Sequence, residues 1–342
     1  MPHPLGMDLP LIQAPMAGVQ GSALALAVSN AGGLGSLPCA MLPPDALRRE
    51  LDALQGGTTR PFNLNFFCHQ PPAPDEARER AWRDALAPYY REAGLDPEAV
   101  PAAVSRVPFD ARTAHLVEAY RPRVVSFHFG LPAPDLLAQV KAWGSKVLAS
   151  ATTLAEAQWL ESRGVDAVIA QGLEAGGHRG HFLDDDLTRQ AGTFALLPQL
   201  VRGLRIPVIA AGGVADARGV AAALALGASA VQVGTSYLLC DEATTHAVHR
   251  AALRSDAAAH TALTNLFSGG VARGIVNRLM RELGPMHPLA PPFPLAAAAI
   301  APLRAHAERA GRGDFSPLWA GQNTSGCRSI GAAALTRELA GA

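Results

Sequence analysis

A closed (β/α)8 TIM barrel is the fold this sequence predicts, on three observations. Short apolar, often β-branched runs recur from residue 9 to about 255, each ending in a small or polar residue. Alanine-rich segments with helical spacing lie between them. The runs number eight, the strand count of a closed barrel, where an open doubly wound sheet commonly has fewer. Strands apolar on both faces that alternate with helices belong to a parallel sheet covered by helices.

In order, the runs are LIQAPM (11–16), GLGSL (33–37), FNLNFF (62–67), VVSFHF (124–129), KVLASA (146–151), AVIAQG (167–172), PVIAAG (207–212) and AVQVGT (230–235). TLAEAQWLESRG (153–164) reads as a helix between a threonine cap and a closing glycine, and ADARGVAAALALGA (215–228) repeats the pattern. Two regions break the rhythm. Residues 70–111, proline-rich at both ends and helical in the middle, read as an insertion after the third strand. Residues 256–342 contain NRLMREL, LAAAAIAPLRAHAERAG and AALTRELAG, three helical stretches. The expected organisation is a barrel over residues 1–255 and a C-terminal helical segment, 256–342, packed over the barrel mouth or against its side.

Lys plus Arg and Asp plus Glu both total 29 of 342 residues, so no long-range field favours nucleic acid or an anionic membrane. Hydrophobic residues make up 49% and charged residues 17%, ample for a large core. Cys39, Cys68, Cys240 and Cys327 form no C-x-x-C pair and read as buried thiols of a reducing compartment. PPFPLAAAAIAPL (291–303) is too short and proline-broken to span a bilayer, and the first residues lack a basic leader before an apolar core, so a cytoplasmic protein is expected.

In such barrels the working residues stand at the C-terminal ends of strands. Those positions hold Asn63 and Asn65 on strand three, His128 on strand four, Gln171 after strand six, Gly212 and Gly213 after strand seven, and Gly234 with Thr235 after strand eight. Glycines in the last two loops let backbone N–H groups approach a phosphate, aided by a helix N-terminus and a threonine hydroxyl. Each glycine alone is equally well a tight turn. Two adjacent loops of the same chemistry point to a phosphorylated cofactor or substrate. No G-x-G-x-x-G follows the first strand, so a Rossmann site is not supported. The amides of Asn65 and Gln171 suit the edge of a neutral heterocycle such as a flavin, although each could instead tie down its own loop. The strand period of two puts Ser126 and His128 on one face and Phe127 and Phe129 on the other. His128 then faces inward at the mouth, where a histidine suits proton abstraction near neutral pH; the plainer alternative is a satisfied core histidine.

Together QAPMAG, GGLGSL, NLNFF, SFHFGLP, QGLEAGGHRG, AAGGVAD, QVGTSYLLCDEA, SGGVARG and the late AGQ resemble the nitronate monooxygenase family over nearly the whole length. SFHFG is similar to the class I branch, whose motif histidine is the catalytic base; that implies His128. The resemblance implies FMN as cofactor, held by Met16, Asn65, Gln171, Gly176, Gly177, Gly212, Gly213 and the run Gln232, Val233, Gly234 and Thr235. It implies oxidation of a nitronate, propionate 3-nitronate in this branch, by dioxygen to a carbonyl compound and nitrite without NAD(P)H. It makes Ser268 and Arg273 candidates for an anionic substrate; Arg273 reads equally as a structural ion-pair residue. Gly270 departs from the bulkier, more basic residue expected there. Trp319 and Gln322 are candidates to close the site. His178 reads as a brace of its loop or a flank of the phosphate side, and His181 as pointing to solvent or the next loop. No metal is expected: His178 and His181 have H-x-x-H spacing, but strand ends supply amides and glycines rather than further ligands. The partners expected are small molecules, with no nucleic acid or membrane, in a monomer or homodimer. The competing readings are an NAD(P)H-dependent flavin reductase of quinones or enoyl thioesters, a metal hydrolase, and a non-catalytic flavin- or phosphosugar-binding barrel.

Overall fold

The computed structural model describes residues 4–97, 100 and 106–342. Eight strands lie parallel: β1 (Leu11–Gln13), β2 (Gly35–Pro38), β3 (Phe62–Phe67), β4 (Val124–His128), β5 (Lys146–Ala151), β6 (Ala167–Gln171), β8 (Val208–Ala211) and β9 (Ala230–Val233). They pair in the order β1-β9-β8-β6-β5-β4-β3-β2. A parallel bridge from Ile12 to Leu34 joins the two ends and closes the barrel. The eight expected runs are these eight strands, each within three residues of its expected limits.

The two-residue period sorts each strand cleanly. Outward side chains such as Leu64, Phe66, Val125, Phe127, Val147 and Val168 form one large core with the surrounding helices. Inward, Ile12, Leu34, Val124, Leu148, Ile169 and Ile209 fill the barrel's lower half, together with Leu5 and Met7. Above them the interior turns polar. The Asn63 amide donates to Ser36 Oγ (3.0 Å) and Ser126 Oγ (2.9 Å), and Asn65 Nδ2 donates to Ser126 Oγ (2.9 Å). This layer, buried yet bonded, is the floor on which the site stands.

Helix termini follow the expected caps. Thr153 accepts from Glu156 N at the start of helix Leu154–Ser162, and Asp216 accepts from Gly219 N at the start of Ala217–Ala225. The insertion holds helix Glu76–Glu92, opened by the Asp75 cap. It packs against helix Ala297–Arg309: Trp82, Leu86 and Tyr90 share a core with Ile300, Leu303 and Phe315. Tyr90 donates to Ala299 O at 2.6 Å, and Arg278 pairs with Glu92 at 2.6 Å.

Residues 256–342 divide between two places. The last helix, Ala332–Ala340, joins the barrel's outer ring beside helices Ser22–Asn30 and Ala217–Ala225, where Thr336 Oγ1 meets Tyr237 Oη at 2.9 Å. The earlier part caps the mouth, and it is not wholly helical. Strands β10 (Thr261–Thr264) and β11 (Ala272–Ile275) form an antiparallel sheet with β7 (Gly177–His178), the loop after β6. The register sets Arg273 opposite Gly177 and Ala272 opposite His178. That sheet clips the cap onto the mouth. Among the described residues no helix is long and apolar enough to cross a membrane.

Candidate active site

The inward columns of the strands end at one cavity of about 280 Å³, bounded by Asn65, Phe67, His128, Ser150, Gln171, Ala211 and Gln232. The loops beyond them add Met16, Gly176, Gly177, Gly212, Gly213, Val233, Gly234 and Thr235, and the cap adds Trp319. Every residue the sequence reading assigned to a cofactor therefore lines this cavity.

Their roles differ in detail. Gly212 and Gly213 have φ of +119° and +74°, a turn that residues with a Cβ adopt only with strain. The helix that follows is capped by Asp216, which accepts from Gly219 N at 2.8 Å. Thr235 Oγ1 accepts from Gly321 N at 2.9 Å, which leaves its hydroxyl proton free to donate. Gly177, at φ +72°, faces open space. Gly176 serves packing instead: a Cβ there would sit 2.5 Å from Gly321 N and 2.6 Å from the Ala320 carbonyl carbon. Gln171 ties down its own loop, donating to His178 O (2.9 Å) and accepting from Gly180 N (2.7 Å). Gln232 keeps its Oε1 buried without a partner among the described residues.

Two buried charges hold the β6 loop in place. Arg179 donates to Gly172 O (2.6 Å), Gln171 O (2.7 Å) and Gln190 Oε1 (2.8 Å). Glu156 accepts from Thr152 N (2.7 Å) and Phe182 N (2.7 Å). Neither role was visible in sequence, where both residues sit in ordinary helix or loop patterns.

His128 stands at the cavity floor. A carbonyl can only accept, so the 3.2 Å contact to His178 O places the ring proton on Nε2. Nδ1 then accepts from Ser150 Oγ at 3.0 Å. Burial pulls its pKa down to about 4, against a smaller opposing effect of the His178 carbonyl. The expected alternation fails one residue later. Phe129 has φ +67° and turns back beside His128, with ring centroids 4.5 Å apart. It joins Phe67, His69, His178 and Phe293 in an aromatic wall.

His178 lines the cavity, and its Nε2 meets Ser268 Oγ at 2.7 Å. Ser268 braces His178 and borders a second chamber of about 560 Å³ rather than this cavity. Arg273 is corrected more strongly. Its guanidinium donates to Leu173 O (2.8 Å) and approaches Thr261 O (3.4 Å), tying the clip to the β6 loop. It does not line the cavity, although its cross-strand partner Gly177 does. Gly270 leaves room for Phe293, whose ring a Cβ there would approach at 3.1 Å. Trp319 lines the cavity with its ring 5.5 Å from that of His178, while the exposed Gln322 does not. His181 reaches neither open solvent nor the next loop: it is largely covered and lies 3.4 Å from Asp185 of its own loop. Among the described residues no three His, Cys, Asp or Glu side chains are grouped to hold a metal.

The buried histidines make stability pH-dependent. Burial holds His128 and His249 at about 4 and His178 well below the ordinary 6.5. Such a group takes up its proton in the unfolded chain first, so its stabilising effect is complete above pH 6.5 and is lost as pH falls toward 4. Each contributes up to about 1.4 kcal/mol per pH unit in that window. Thermal unfolding followed from pH 7.5 to 4.5 is expected to show a midpoint that drops steeply below about pH 6.5; a level profile would contradict this account of the three rings.

Fold and site define a (β/α)8 barrel enzyme with a capped mouth and one histidine-floored cavity. The chain belongs to the nitronate monooxygenase family, whose model matches residues 4–340. It is 44% identical to nitronate monooxygenases of Paraburkholderia phytofirmans and Pseudomonas aeruginosa, covering 98% of this chain and 92% and 96% of theirs. Among solved structures it is similar to nitroalkane oxidase from Streptomyces ansochromogenes, with TM-score 0.90, 37% identity, and 98% and 95% of the two chains covered. It is similar also to FabK from Thermotoga maritima, with TM-score 0.69, 27% identity, and 98% and 92% covered. The protein is thus an oxidoreductase that acts on a small molecule, and its relatives make nitronates the class oxidised.

Proposed function

We propose that the chain is an FMN-dependent enzyme that converts a preformed nitronate, propionate 3-nitronate, to a carbonyl compound and nitrite with dioxygen as oxidant. The observation that carries the reading is that His128, the Gln232 Oε1 without a partner among the described residues and the left-handed Gly212–Gly213 turn share one cavity.

The residues present fit FMN. Gln232 Oε1 is a buried acceptor in want of a donor, which a flavin ring N–H supplies. The Gly212–Gly213 turn and the Thr235 hydroxyl suit a phosphate, and Gly234 and Met16 flank the same wall. When bound, FMN supplies the electron acceptor that the substrate reduces and dioxygen reoxidises. This chain's own residues bind, orient and exclude water. Phe67 and Trp319 line the cavity, with Phe129 and Phe293 packed behind Phe67, and exclude water from polar contacts made there.

His128 favours a substrate that is already a nitronate. At a pKa of about 4 it is neutral at physiological pH and a weak base for a carbon acid. Its Nδ1 can still take a proton if Ser150 turns its hydroxyl away, and the His178 carbonyl would then steady the cation through Nε2–H. For an anionic nitronate no proton need move, and the neutral ring orients the substrate without repelling it.

The visible spectrum of the purified protein tests the cofactor. A yellow protein that releases FMN on denaturation is expected. A colourless protein that FMN does not restore would sink the reading.

A further inference from the structure

We infer that Arg106 binds the anionic group at the far end of the substrate, the carboxylate in the case of the propionate 3-nitronate proposed above. This rests on the reading of the cavity as a nitronate site. The sequence offered Arg273 for this role, but its Nε and Nη1 are held by Leu173 O and Thr261 and it borders neither cavity. Arg179 is likewise spent on Gly172 O, Gln171 O and Gln190. Arg304, which also borders the cavity, is paired with Glu308 at 2.8 Å. Arg106 is different. It lines the cavity with His128 and His178, and no carboxylate pairs with it among the described residues.

Its placement is built rather than incidental. The backbone is held because His69 Nε2 donates to Arg106 O at 3.0 Å. The guanidinium lies 5.2 Å from the centroid of the Phe293 ring, which also contacts Phe129 (5.2 Å) and His178 (5.0 Å). The aromatic wall thus runs from the histidine floor to the cation. Desolvation lowers the Arg106 pKa with no acid near enough to oppose it, yet a guanidinium remains charged at neutral pH. A half-buried, unpaired cation in an aromatic cavity gains most from an anion delivered by the ligand. Arg106 also borders the second chamber of about 560 Å³, whose walls include Phe66, Phe109, Ala298 and Ala301. A chain leading from the reacting carbon past Phe67 therefore has space, with the cation at the junction of the two chambers.

The test compares propionate 3-nitronate with propyl-1-nitronate, of the same carbon count but without the carboxylate, by nitrite release from the wild-type, R106Q and R106K proteins. R106Q is expected to raise KM for propionate 3-nitronate roughly 10- to 100-fold and to change that for propyl-1-nitronate by less than about threefold. R106K should recover part of the loss, since it keeps the charge without the planar fork. Calorimetric binding of 3-nitropropionate should weaken in R106Q in parallel, with binding of 1-nitropropane unchanged. An equal loss for both nitronates, or no loss for either, overturns the inference. If the wild-type protein releases nitrite from neither nitronate, the underlying reading fails instead, and the two failures are told apart.

Discussion

The His128→Asn variant is expected to lose turnover of a neutral nitroalkane by two to four orders of magnitude in kcat/KM, the usual contribution of a general base. With a preformed nitronate the same variant is expected to stay within about tenfold of wild type, because only orientation is lost. The split follows from the geometry. His128 Nδ1, bonded to Ser150 at 3.0 Å, is the ring nitrogen without a proton, and Nε2–H is committed to His178 O. Asparagine can present a donor to His178 O and an acceptor to Ser150, but it cannot take a proton. Wild-type activity on nitroalkane should itself be the lesser of the two, given a base held near 4 by burial. Equal losses on both substrates would mean that His128 acts on a step common to both. Unchanged rates on both would remove it from catalysis and revive a non-catalytic reading of the barrel.

The Gly176→Val variant is expected to release its cofactor and to lower stability by about 2–4 kcal/mol, the range of a severe packing clash. The conflict is with backbone, since the new Cβ would meet Gly321 N at 2.5 Å and the Ala320 carbonyl carbon at 2.6 Å. No rotamer relieves it. The segment that must move also carries Trp319 onto the cavity and gives Gly321 N to Thr235 Oγ1. Cap, cavity and phosphate-side hydroxyl should therefore loosen together. The check is the fraction of FMN retained through gel filtration, alongside the thermal midpoint. Gly177→Ala is the matched control: its Cβ faces open space, so only the strain at φ +72° applies and a smaller loss is expected. If both variants retain FMN like wild type, the cap is not seated through Gly176.

Much of this was legible in the sequence because a buried parallel strand carries its signal locally. FNLNFF and KVLASA appear as strands at the expected limits, and the Thr153 and Asp216 caps mark helix starts. The strand-end positions Asn65, His128 and Gln171 follow once the barrel is recognised, whereas Gln232 came only from the family resemblance. What escaped was set by distant contacts. Strand β7 has two residues and exists only because β11 lies beside it, so no periodicity announces it. That pairing turned Arg273 from a substrate ligand into a tether. Phe129 left its predicted face through one left-handed residue, a conformation that a phenylalanine does not advertise. AALTRELAG reads as a helix in isolation, but only packing against Ser22–Asn30 shows that it completes the barrel's ring. Arg106 went unnoticed because it stands in the insertion rather than at a strand end, and nothing in its neighbours VSRVPF marks a binding residue.

Anaerobic mixing of the yellow protein with propionate 3-nitronate, watched at the flavin absorbance in a stopped-flow instrument and repeated with NADH, tests the central claim most directly. The account predicts rapid loss of oxidised-flavin absorbance with the nitronate, recovery when oxygen is admitted, and no comparable change with NADH. Rapid bleaching by NADH with none by the nitronate would contradict it, and would assign the cavity to a nicotinamide-dependent flavin reductase.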